Sequence, residues 1–125
     1  MKTFVKLPFV VALAFVFLSP GCKKSEPPVA DTSPALQQAF ETAAPDLKAS
    51  IAAVAASLKD KKFTDAVTAL EPIVAKPQLT GPQQQALLAA VLQINEAIAN
   101  DPKLDAPGMA ARRAKLFEAL RRGSR

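Results

Sequence analysis

TGPQQQALLAAVLQINEAIA, residues Thr80 to Ala99, decides the fold. Leu87, Val91, Ile94 and Ile98 stand at i, i+4, i+7 and i+11, one stripe down a helix of 3.6 residues per turn. Leu88 and Leu92 widen that stripe. Thr80 followed three residues later by Gln83 matches a capping box, and Pro82 suits the first turn. Asn100-Asp101-Pro102 ends the pattern. The spacing predicts a helix over about Gly81–Ala99.

The same logic works outward in both directions. Leu47, Ile51, Val54 and Leu58 repeat the spacing and predict a helix over about Asp46–Lys59. Before it, Ser33-Pro34 reads as an N-cap with proline in the first turn. The short helix that follows presents Leu36, Ala39, Phe40 and Ala43 on one face, and Pro45 closes it. Asp60-Lys61-Lys62 is a polar turn. Phe63, Ala66, Val67, Leu70, Ile73 and Val74 then form a third helical face. Pro72 lacks the N–H that would reach the Thr68 carbonyl, so a kink or an early stop is expected there. Past Pro102, Asp105-Ala106-Pro107 caps a last helix of about Pro107–Arg122, with Met109, Leu116, Phe117 and Leu120 sharing a face. No alternating β-branched run predicts a strand. The expected fold is all-α, a small antiparallel helical-hairpin bundle of about four to five helices.

The stretch Lys61–Ile73 resembles the second helix of a tetratricopeptide repeat. Phe63, Ala66 and Leu70 match its aromatic, small and large apolar positions, and Ile73 partly matches a fourth. Ser50, Val54 and Ser57 match the repeat's first helix poorly, and no second copy occurs. The resemblance covers one helix and implies a single repeat-like hairpin.

The first 22 residues read differently from the rest. Lys2 and Lys6 give a positive start, Leu7–Leu18 carries no charge, and Ser19-Pro20-Gly21-Cys22 closes the run. Twelve residues are too few to span a bilayer, which takes roughly 20. They suit the apolar core of a secretory signal. Cys22 is the only cysteine of the chain. The segment resembles a bacterial lipoprotein signal peptide with its lipobox, although Ser19 stands where that family usually has Leu. The resemblance implies cleavage before Cys22, a diacylglycerol on its sulfur and an acylated new N-terminus. It also implies attachment to the cell envelope. Lys23 after the cysteine implies an outer-membrane address facing the periplasm over an inner-membrane one. The domain organisation expected is a signal peptide at 1–21, a flexible tether at 22–33 around lipidated Cys22, and a helical domain at 34–125.

Removing 21 residues from 125 leaves 104, one small domain and its tether. Lys2 and Lys6 leave with the leader, so 14 basic residues stand against 11 acidic ones. The chain has no histidine, which removes the commonest general base and the commonest metal ligand. Its single thiol is assigned to lipid, its carboxylates are scattered, and no glycine-rich phosphate loop occurs. These features predict a protein that is not an enzyme, with no cofactor, no metal and no small-molecule substrate.

One charged feature stands out. Arg112, Arg113, Lys115, Arg121, Arg122 and Arg125 face Glu118 alone in the last fourteen residues. Read functionally, they form an anion-contacting surface for lipid headgroups, glycolipid phosphates or an acidic partner. Read structurally, they are a solvated helix end favoured by the helix dipole. Arg113 falls on the apolar side, where its stem is expected to pack and its head to snorkel outward. Nucleic acid is not an expected partner, since no aromatic residue interleaves with the cations to stack bases. Two functions remain: a lipid-anchored, non-catalytic binding or accessory module with an envelope protein partner, or a peripheral protein that holds anionic lipid or glycolipid through the basic C-terminal helix.

Overall fold

In the computed structural model, the described residues are 29–123 and 125. The leader, Cys22 and the tether as far as Pro28 lie outside them. The described chain is all-helical: α1 (Ser33–Ala39), α2 (Pro45–Lys59), α3 (Phe63–Val74), α4 (Gly81–Asn100), a 3-10 turn (Pro102–Leu104) and α5 (Met109–Gly123).

Burial of the apolar stripes holds these helices together. Leu36, Val54, Val67, Leu70, Leu87, Val91 and Ile94 are wholly buried. Each such side chain contributes about 1.5–3 kcal/mol against exposure. Neighbouring helices pack around a ring that runs α1, α2, α3, α5, α4 and back to α1, with α3 also reaching α4. The last helix thus sits between two helices that are consecutive in sequence. Leu88 is half-covered, and Leu92, expected to widen the buried stripe of α4, stays 49% exposed.

Helix ends follow local chemistry. Thr80 and Gln83 form the expected capping box: Gln83 N donates to Thr80 Oγ1 at 3.4 Å, and Thr80 N donates to Gln83 Oε1 at 3.0 Å. Pro45 opens α2 instead of closing α1, whose end is the Phe40 turn. Helix α3 continues two residues past Pro72 before stopping. The 3-10 turn was not legible in sequence; Asp101 Oδ1 caps it by accepting Lys103 N at 3.2 Å. Helix α5 begins two residues later than expected, after Gly108, whose φ of +82° suits glycine.

The packed chain reaches further toward the N-terminus than the expected boundary at Pro34. Val29 packs against the core. Thr32, not Ser33, occupies the cap position of α1, and its N and Oγ1 both donate to Gln93 Oε1 at 2.9 and 2.6 Å. Ser33 is wholly buried, and its hydroxyl donates to the Ala55 carbonyl at 3.2 Å.

The turn after α2 takes an uncommon residue. Lys62 N donates to Ser57 O at 2.8 Å and Lys61 N to Leu58 O at 3.2 Å, the double bond of a Schellman end. That motif places its central residue in the left-handed region, where glycine is preferred. Here the residue is Lys61, with φ of +56°. A side chain at such a φ costs about 1–2 kcal/mol. Lys61→Gly is therefore expected to raise unfolding stability by about 1 kcal/mol, while Thr80→Ala lowers it by about 1 kcal/mol. Urea denaturation measures both. A lower midpoint for Lys61→Gly would show that the lysine side chain contributes more than its backbone costs.

Candidate functional site

The basic residues of α5 do not converge on one surface. Met109, Leu116 and Leu120 are buried, with Phe117 half-buried beside them. This fixes where the cations go. Arg112 turns toward α3. Its Nε donates to Glu71 Oε1 at 2.6 Å, and its Nη2 donates to Glu71 Oε2 at 2.7 Å and to Thr68 Oγ1 at 3.2 Å. Hydrogen bonding to Arg112 holds the Glu71 carboxyl below its ordinary range, against partial desolvation, and the same bonds raise the Arg112 guanidinium further. Both side chains keep about a third or more of their surface in water, so solvent screens the pair.

Arg113 turns toward α4. Its Nη1 donates to Asn95 Oδ1 at 2.6 Å and its Nη2 to Asp105 Oδ2 at 3.2 Å. Only 12% of the side chain is exposed. The head does not snorkel out as expected, because Asn95 and Asp105 hold it at the α4–α5 seam. Arg113 Nε and Asp105 Oδ1 are buried there without a hydrogen-bond partner. Asp105, expected to cap α5, instead faces this arginine.

The other four lie outside. The Arg121 guanidinium stands 5.9 Å from the centre of the Phe117 ring, within cation–π range. Arg122 Nε lies 3.8 Å from Glu118 Oε2, one turn earlier on the exposed face. Lys115 and Arg125 are exposed.

At the opposite end of the bundle lies the largest groove described, about 620 Å³. Val29, Leu58, Phe63, Ala97 and Leu104 give it apolar walls, and Asp31, Lys59, Lys61, Asn100 and Asp101 give it polar ones. Asp31 accepts Ser33 N at 3.0 Å, and hydrogen bonding to Ser33 holds its carboxyl below the ordinary value. Three separate stretches of chain, 29–31, 58–63 and 93–104, build this groove, so no local pattern in the sequence marks it. Among the described residues, no three acidic or sulfur-bearing side chains gather as metal ligands, and no helix is long and apolar enough to cross a membrane.

Fold and surface together define a small all-α bundle with one amphipathic groove and a dispersed set of C-terminal cations. No protein-family model matches the sequence, and comparison with curated proteins and with solved structures returned no significant match.

The two inward arginines give separable expectations. Arg113→Ala strands the Asp105 carboxylate in the seam and is expected to cost about 1–3 kcal/mol. Arg112→Gln acts through Glu71, whose folded pKa lies below its unfolded one. The stability from that pair is present above the ordinary glutamate pKa and is lost as pH falls through the lowered folded value. Unfolding curves of wild type and Arg112→Gln should therefore differ at neutral pH and converge on acidification. A gap that persists in acid would assign the effect to packing.

Proposed function

We propose that this protein is a lipid-anchored, non-catalytic helical binding or accessory module of the bacterial cell envelope. The observation that carries the reading is Cys22, the sole cysteine, at the junction of an apolar leader and a polar tail. A thioether there with two or more acyl chains anchors stably, where one chain alone binds marginally. The leading address is the outer membrane, facing the periplasm. The missing histidine supports a role in binding over one in catalysis. The stretch Lys61–Ile73, which resembles one helix of a tetratricopeptide repeat, is consistent with an accessory role beside a larger protein.

The second reading, a C-terminal helix that holds anionic lipid or glycolipid, draws less support. Arg112 is paired with Glu71, Arg113 is held at the α4–α5 seam, and Arg121 and Arg122 lie by Phe117 and Glu118. Among the described residues, Lys115 and Arg125 are the cations of this stretch whose side chains form no hydrogen bond or ion pair.

The anchor is tested by expressing the full chain in a bacterial host and separating membranes from soluble material. The wild-type protein is expected in the membrane fraction with a diacylglycerol-modified Cys22 by intact mass, and Cys22→Ser in the soluble fraction. An unmodified thiol, or a serine variant that sediments equally well, rejects the anchor.

A further inference from the structure

We propose that the domain meets its own membrane with the groove end, and that Lys61, Lys62 and Lys103 there lie against anionic headgroups. The proposal rests on the lipid-anchor reading above and adds the face that contacts the bilayer.

Six residues lie between Cys22 and Val29, so the seven Cα steps from one to the other span at most about 25 Å at full extension. Val29 is not a free end: it packs against the core and lines the groove. Three residues on, Thr32 is bonded twice to Gln93 and Ser33 is buried against Ala55. The chain is therefore fixed to the bundle at the groove end, and the lipid stays within about 25 Å of that point, short of the far end of the bundle.

Helix α4 has 20 residues and runs about 30 Å. Its Asn100 end lines the groove. Its Gly81 end shares a surface depression with Gly123 and Arg125. The basic C-terminus therefore lies a helix length from where the anchored chain joins the fold.

At the groove end, Asp31 and Asp101 act as backbone caps, accepting Ser33 N and Lys103 N. Lys61, Lys62 and Lys103 are exposed and form no side-chain hydrogen bond or ion pair among the described residues. Lys59 lies near Asp31; Asp31, Asp60 and Asp101 keep their negative charge, so the four lysines of this end exceed the three carboxylates by one. Lys61 is held in the left-handed region, where glycine would relieve the backbone. Lysines near an acidic leaflet are drawn to it within a Debye length. Lys23 and Lys24, directly after the anchored cysteine, carry the same sign.

The test uses the full-length lipidated protein in vesicles of phosphatidylcholine with phosphatidylglycerol. Cys22 is blocked by its thioether, so a fluorophore is placed on Lys103→Cys or, at the other end, on Gln85→Cys. A headgroup spin-labelled lipid serves as quencher. Quenching is expected to be at least about twofold stronger at position 103, with the difference shrinking in phosphatidylcholine alone or with Lys61 and Lys62 both changed to Gln. Equal quenching, as for a bundle lying on its side, or stronger quenching at position 85 overturns the proposal. A difference indifferent to anionic lipid and to the two lysines overturns the headgroup contact. Intact mass of the same sample separates the failures: without diacylglycerol the anchor falls and the proposal with it, whereas with diacylglycerol only the proposal falls.

Discussion

Helix α4 is gripped from two sides by amides two residues apart, and the arrangement of the bundle depends on that grip. Gln93 accepts both donors of Thr32 and brings the start of α1 against one flank. Asn95 accepts the Arg113 head and brings α5 against the other. Between them the wholly buried Ile94 faces the core. A helix of this period sends residues i and i+2 to opposite flanks. That geometry lets two polar contacts flank one apolar stripe without interrupting it. Alanine is abundant and the large aromatics are few, so each apolar contact is modest. Under those terms, directional bonds at the flanks settle which helix neighbours which.

The seam at Arg113 shows what such a bond demands. A guanidinium has five N–H donors in a fixed fork, and Asn95 and Asp105 satisfy only part of it. The arginine is held because Asp105, just before α5, and Asn95, on α4, converge on its head. Its neighbour Arg112 makes a better-shaped bidentate pair with Glu71 in a wetter place. Geometry and burial thus favour different arginines, and the buried one is the costlier to lose.

Much of the fold was legible because helical periodicity is a local signal. Leu87, Val91, Ile94 and Ile98 identified α4, and Thr80 with Gln83 identified its start. The chain ends of helices were less legible, because capping competes with tertiary bonds. Ser33 carried every local mark of an N-cap, yet Ala55 captured its hydroxyl, and Thr32 took the position with its own side chain turned to Gln93. Pro45 began a helix instead of ending one, for the same ring that breaks a helix interior is tolerated at its first turn. The surface was hardest to read. Six cations in fourteen residues suggested one patch, but a helix distributes neighbours around its axis, and Glu71 and Asn95 are distant in sequence from the arginines they hold. The groove was invisible for the same reason, as Val29, Leu58, Phe63, Ala97 and Leu104 meet only when the chain has closed.

The Thr32–Gln93 clamp has a mechanical consequence. Tension applied to the N-terminal chain meets the two Thr32–Gln93 bonds before it reaches α1, and passes through their shared oxygen into α4. The seven residues of α1 lie behind that junction.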